Sequence, residues 1–552
     1  MAADLASFLG HWILPALLLV PLLGAGAVLA IGRVAAPGHA LVASPLREIR
    51  VLTAITLGIE AGLATLLWLS LDPAAGGWQA VVDLPWISEW GARILMGVDP
   101  VGGLMILLTA WLMFLSVVGS WNAVTHKLRS YYVLLLVFTS GCIGVFIAID
   151  LLLFYVMWEV VLVPLYFVIG VWGGRERVGS SFRFFVFTMG SSLVMLVAIG
   201  ALWKSAGQGT FALDALVGAP GPSTTAQVWL FAGFFLAFAV KSAMWPFHTW
   251  LPDAQHEAPT TAAIALGIKV GAYGLFRFAM PLFPAAVTHE TVRSVVIGLG
   301  VVGIIYGALV AMVQPDFKRL VSYAAISHAG FVLVGLFAGS VESVQGAVLV
   351  MLSSGVTNAA LFLLLGILHE QRGTGMIANF GGLARVVPMF AVMLTLVSLA
   401  SIGLPGTNGF VGEFLVLLGA YREFPVATFL AGLGVILAAV YFLWATQRVL
   451  FQPLAHEANR SLRDLNRREQ AVMLVFAVVI VGLGVAPGGL LRHIEPSARK
   501  LVARVESRGR PSAAPVPADP VAPPVVPPVV PPVVPPAAPL AAPLALPPSA
   551  SR

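Results

Sequence analysis

The sequence predicts an all-α polytopic membrane protein with about 14 transmembrane helices. Three observations carry this. Of 552 residues, 59% are hydrophobic and only 10% charged, whereas a soluble domain carries about 25% charge. The apolar residues run in blocks of about 20, the length of a bilayer span, where barrel strands would alternate over about 10. Charged and helix-breaking residues also recur at matching places about five spans apart. Because five is odd, the second copy is inverted, so the chain reads as two inverted five-helix repeats, each with one broken helix.

The spans are expected near 12–32, 51–71, 101–120, 131–149, 151–172, 182–203, 228–248, 260–282, 292–313, 319–339, 344–368, 387–418, 426–450 and 470–491. Residues 1–130 supply the first three helices. The first repeat is 131–282 and the second 283–452, followed by a loop and a last span in 453–491. Two breaks are expected. Pro246 interrupts the seventh span shortly after Lys241, and the run Leu404-Pro405-Gly406-Thr407-Asn408-Gly409 divides the overlong block 387–418. Residues 492–552 read as a tail, first basic and then rich in Pro, Ala and Val, which resists helix and favours extended, disordered chain. No long amphipathic C-terminal helix is expected.

Arg and Lys gather in alternate loops: Arg47 and Arg50, Lys127 and Arg129, Arg175 and Arg177, Lys318 and Arg319, Arg372 and Arg385, then Arg448 to Arg468. The opposite loops hold little beyond Arg93, Lys204, Arg293 and Arg422, beside Asp72, Asp83, Glu89 and Asp99. The basic set should face the cytoplasm, which puts both termini outside. The N-terminus reads as a first span rather than a cleaved signal, since Asp4 stands where a basic region would be. The net charge of +6 is this orientation signal and implies no nucleic-acid partner. Cys142 is the sole cysteine, so it forms no intrachain disulfide and no cysteine metal site.

An ammonium at the bilayer centre costs about 2.5–3.5 kcal/mol, so charges there are usually functional. Lys241 lies within the seventh span and Lys269 near the middle of the eighth; Glu159 is central in the fifth. A glutamate and a lysine about 6–7 Å apart attract by about 2.5 kcal/mol at an effective dielectric of 20. Glu159 and Lys241 are therefore expected to form a pair that one proton can make or break. His328, among Ser322, Tyr323 and Ser327, fits either a relay imidazole beside a water chain or a satisfied core histidine. Glu413 closes the second broken region. Glu159, Lys241, Lys269, His328 and Glu413 would form a polar line through the membrane, opening to each side at the breaks. His248 and His256 read as interfacial, Asp150 as a residue of a wet turn, and Glu60 as open between a structural and a functional role. No phosphate-binding glycine loop, paired metal ligands or nucleophile elbow is visible.

KSAMWPFHTWLPDAQHEAPT, MWEVVLVPLYFVIG and IKVGAYGLFRF together resemble the proton-conducting, antiporter-like membrane subunits of respiratory complex I, over residues 95–450. Relatives of these subunits serve in multisubunit cation/proton antiporters and membrane-bound hydrogenases. Glu413 stands where the chain M (chain 4) branch of NADH–quinone oxidoreductase carries glutamate. The resemblance implies proton transfer coupled to quinone reduction in other subunits, in a bacterial inner membrane. Partners would be the other membrane subunits of complex I, sibling antiporter-like subunits among them. It implies no cofactor in this chain: NADH, FMN, iron–sulfur clusters and quinone would belong to partner subunits. By match of residues, Glu159 and Lys241 are the switching pair, Lys269 the central relay, His328 the junction and Glu413 the distal site. Two positions depart from the pattern. Ser354 stands where a second histidine is common, so a hydrated Ser354 is expected to link His328 to Glu413. Gln255 stands at the usual loop histidine, with His256 following.

Overall fold

The computed structural model describes residues 8–31, 45–207, 209–219 and 221–509. The Pro/Ala/Val-rich part of the expected tail lies outside them. Among the described residues, thirteen helices are long and apolar enough to cross a membrane. In order the main helices are α1 (Ile13–Ala30), α2 (Pro45–Ser70), α3 (Pro100–Gly119), α4 (Leu128–Ile147), α5 (Leu151–Trp172), α6 (Arg177–Ala206), α7 (Thr224–Lys241), α8 (Trp250–Glu257), α9 (Thr260–Leu266) and α10 (Val270–Gly274). There follow α11 (Glu290–Met312), α12 (Phe317–Phe337), α13 (Val341–Arg372), α14 (Pro388–Ile402), α15 (Asn408–Tyr421), α16 (Pro425–Leu450), α17 (Arg467–Val485) and α18 (Gly488–Gly509).

Polar residues at the loop edges start these helices. Asp99, Asp150, Asp316, Ser340 and Ser223 each accept from a backbone N–H of the following turn, supplying a partner that a helix start lacks. Asn466 and Glu469 cap α17 reciprocally. Asp150, expected in a wet turn, is fully buried. It accepts from the N–H groups of Leu152, Leu153 and Arg93, so three donors replace the water. Burial still pushes its carboxyl above the ordinary value, against those hydrogen bonds.

Packing grades the helices from centre to rim. The apolar window of α13 is wholly buried and that of α12 94% buried, whereas those of α16 and α17 are 33% and 28% buried. The first pair forms the centre; the second turns most of its surface outward, where lipid or other subunits suit Val426, Phe429, Ile436 and Val478. Close backbone approach brings α11 onto α12: a Cβ on Gly330 would meet the Gly300 carbonyl at 2.4 Å.

Both expected breaks are present as gaps between helices. α7 stops at Lys241 and helix resumes at Trp250; between them Ala243 is held at φ 52°, a conformation L residues seldom adopt. α14 stops at Ile402 and α15 starts at Asn408, with Pro405 in the gap. A third interruption was not expected. The span beginning at Thr260 divides at Gly267–Lys269, and a π turn, Leu275–Ala279, follows α10. Lys269 therefore sits in the gap itself rather than midway along a helix.

Two further elements differ from the all-α reading with its unstructured tail. Gln79–Ile87 and Ala92–Val98 pair as an antiparallel hairpin between α2 and α3. Residues 492–509, expected as the basic start of a disordered tail, belong to α18. Its buried Ile494, Ala498, Leu501 and Val505 recur every three or four residues, an apolar stripe that pays for helix despite the charge around it. α18 runs 22 residues and packs on α3, on α13 and on the turns Pro73–Ala75, Met280–Leu282 and Pro284–Val287.

Candidate functional site

The first half of the site lies where α5 meets the end of α7. Lys241, the last residue of α7, has a buried Nζ with no hydrogen-bond partner; the Glu159 Oε1 on α5 is likewise buried and unpartnered. Among the described residues, no contact within 4.0 Å joins the two as an ion pair. The Lys241 Nζ lies instead over the Trp158 indole, 5.0 Å from the ring centroid. The indole face attracts the ammonium by about 0.5–2 kcal/mol, a share of what a carboxylate partner would give. Beside Lys241 is a cavity of about 20 Å³ that also touches Phe138, Trp250, Ile268 and Val270, enough for one water. Ile268 and Val270 flank Lys269, so this space reaches from the first gap to the third.

Lys269 joins the halves. It is 4% exposed, and its Nζ donates to the Ala325 carbonyl at 3.4 Å. Ala325 lies on α12 three residues before His328.

The second half is more closely knit. The His328 Nε2 is 3.6 Å from the Glu413 Oε1 and 3.3 Å from the Ser401 carbonyl; its Nδ1 is buried without a partner. Glu413 is on the first half-turns of α15 and Ser401 at the end of α14, so the gap between these helices shapes the pocket. Gly403 makes the bend at φ 82°, and a Cβ there would stand 2.7 Å from the Glu413 Oε2. A cavity of about 10 Å³ is lined by His328, Ser353, Ser354, Ser401 and Glu413. Ser354 was expected as the link between His328 and Glu413. Those two side chains face each other directly, while the Ser354 Oγ donates at 3.4 Å to the Met351 carbonyl of its own helix.

Sequence reasoning missed several polar groups here. The side chains of Asn358 and Asn408, the Ser401 Oγ and the Tyr441 hydroxyl are buried without partners. An Asn in an apolar span is a signal that could have marked the first; the others fall at helix ends or resemble ordinary core. His248, read as interfacial, is 3% exposed and packs edgewise on Tyr306, with ring centroids 5.0 Å apart. His256 Nδ1 is 3.2 Å from Asp316 Oδ1 and its Nε2 3.8 Å from Glu257 Oε1. Burial works to raise the Asp316 carboxyl, but the hydrogen bond and charge of His256 outweigh it and leave the group below its ordinary value. These residues, with Lys318, His369 and Glu370, line a cavity of about 480 Å³ on the face of the basic loops. Glu60, on α2, is fully buried with neither oxygen partnered. Among the described residues, no three His, Cys, Asp or Glu side chains are grouped to hold a metal ion.

A polytopic helical bundle with interrupted helices and buried charges spaced through its centre has the form of an antiporter-like membrane protein. The model of the family described as NADH:quinone oxidoreductase/Mrp antiporter, transmembrane, matches residues 148–438. The chain belongs to that family. It is 39% identical over 465 residues to NADH-quinone oxidoreductase subunit M of Rhodobacter capsulatus, covering 81% of this chain and 90% of the relative. It is 38% identical over 456 residues to the subunit M of Escherichia coli (strain K12), covering 79% and 89%. Its fold is similar to a chain of respiratory complex I from Thermus thermophilus, with a TM-score of 0.81, 32% identity, and 89% and 99% of the two chains covered.

Proposed function

We propose that this chain is the subunit M of a bacterial NADH–quinone oxidoreductase and moves protons across the inner membrane while other subunits carry electrons from NADH to quinone. FMN, iron–sulfur clusters and quinone belong to those partners, and sibling antiporter-like subunits adjoin this one. The basic loops face the cytoplasm and the termini lie outside.

The observation that carries the relay is the direct approach of His328 to Glu413, 3.6 Å apart at lipid depth, on the helix that Lys269 already touches. Protons pass among Glu159, Lys241, Lys269, His328 and Glu413. Lys241 alternates between two partners. Over Trp158 its ammonium has only a π face. Swung toward Glu159 it gains a carboxylate. Lys269, in the gap after α9, has the reach to bridge to α12. At the far end, transfer between His328 and Glu413 turns a neutral imidazole and carboxylic acid into an ion pair, which the dry surroundings resist unless charge moves nearby. That resistance couples the last step to the arrival of charge at Lys269.

The test is proton pumping in the assembled, quinone-reducing complex. Lys241→Ala should uncouple electron transfer from pumping; full pumping by an assembled Lys241→Ala complex would refute the relay. A cation/proton antiporter subunit is the second reading, favoured only by the breadth of the family. Identifying the co-purified subunits separates the two, since quinone-site and iron–sulfur partners belong to the first.

A further inference from the structure

α18 roofs a cavity of about 250 Å³ on the face opposite the basic loops. Its walls are mostly apolar, among them Trp78, Leu213, Phe276 and Leu501, and its charged groups are Asp99, Asp214, Arg277, Lys500 and Arg504.

The two acids are already committed. Asp99 pairs with Arg277 and accepts from the Ser497 hydroxyl at 2.7 Å and the Gly102 N–H at 2.9 Å. Asp214 accepts from the Trp78 indole N–H at 2.7 Å. The α18 cations on this side, Lys500, Arg504 and Arg508, bond to neutral groups instead. Lys500 donates to the Gly76 carbonyl at 3.0 Å. Arg504 donates to the carbonyls of Pro281 and Val217, and Arg508 donates to Val217 as well. Every one of these acceptors is neutral. Burial, and then the charge of Arg508, press the Arg504 guanidinium below its ordinary value, against the smaller opposite pull of Asp214. Two cations one helical turn apart, Lys500 exposed and Arg504 half-buried, thus line a half-open pocket in which neither is salt-bridged, with the Asp214 carboxylate near enough to act on Arg504. An ammonium and a guanidinium are both strong donors to phosphate oxygens, and such charge-assisted bonds are about twice as strong as neutral ones.

We infer that this cavity binds a phosphate group through Lys500 and Arg504. The volume is small for a whole organic ligand, which fills about 300–1,000 Å³, and suits a headgroup with its glycerol against the apolar wall. The same chemistry is offered by the phosphodiester of an anionic lipid and by free phosphate. Bound phosphate would tie α18 to the hairpin side and to the turn at Val217.

The test uses the full-length chain in detergent, depleted of lipid. Dihexanoyl phosphatidylglycerol, inorganic phosphate and phosphate-free dihexanoylglycerol are each titrated by equilibrium dialysis. Saturable binding of one equivalent of phosphatidylglycerol alone assigns the lipid; binding of inorganic phosphate that displaces it assigns the free ion. Either supports the site. Lys500→Glu should weaken binding at least about tenfold, Lys500→Arg should retain it, and Arg499→Gln, which alters an exposed residue paired with Glu495, should change it by under about twofold. Four results would overturn the inference: no saturable binding of either phosphate compound, equal binding of dihexanoylglycerol, wild-type binding by Lys500→Glu, or loss by Lys500→Arg as large as by Lys500→Glu. The last would show that charge is not the cause.

Discussion

The two charged regions are built from similar parts and hold them differently. Around α5 and α7, the acid and the base stand apart, with Lys241 resting over Trp158. Around α12 and α15, His328 and Glu413 are within 3.6 Å and share their pocket with the Ser401 carbonyl. An open acid–base pair can still gain Coulomb energy by closing. A pair already in contact has no such approach left to make. The first region is therefore the one able to store a choice between two arrangements, and in the proposed relay the second would pass a proton between fixed neighbours.

The largest effect expected from breaking this contrast is at Lys241. Lys241→Ala removes the moving charge and should cut pumping at least about tenfold, equivalent to about 1.4 kcal/mol, in a complex that still assembles. Proton uptake by inverted vesicles during quinone reduction measures it. Glu413→Gln comes next. It keeps the shape but ends the exchange with His328, so pumping should fall several-fold while the rate of electron transfer falls less; parallel losses of both would point to a folding defect. Trp158→Leu takes away the alternative seat of Lys241, worth about 0.5–2 kcal/mol. Pumping in the same vesicles should drop by at least about twofold but by less than in Glu413→Gln. Ser354→Ala should be smallest, under about twofold, because His328 reaches Glu413 without it. A loss at Ser354 as large as at Glu413 would mean that the second region conducts through the serine after all.

How much of this was legible depended on what marks each feature in a single chain. The bundle was legible because lipid imposes long apolar runs, and the charges because Glu159, Lys241, Lys269 and Glu413 stand out against them. The gaps at Pro246 and Pro405 were legible because proline lacks an N–H. The gap at Lys269 was not, since only Gly267 and Gly271 flank it and glycine is common in membrane helices. The hairpin at Gln79–Ile87 was read as loop because its strands lie between spans and the first of them buries little. α18 was missed because its Arg and Lys were weighed for orientation while the spacing of Ile494, Ala498, Leu501 and Val505 was not. The closeness of His328 to Glu413 depends on how α14 bends at Gly403, a tertiary fact that spacing along the chain cannot encode.

α18 also bears on how the protein is made. Synthesis proceeds from the N-terminus, and domains fold as they emerge. Every surface that α18 covers, from Pro73–Ala75 to Pro284–Val287 and α13, precedes it in the chain. These surfaces must wait, uncovered, until the last of the spans has left the ribosome. Docking of α18 is thus a late event of biogenesis, and a nascent chain stopped short of Gly488 would leave bare an apolar floor that a quality-control protease can recognise.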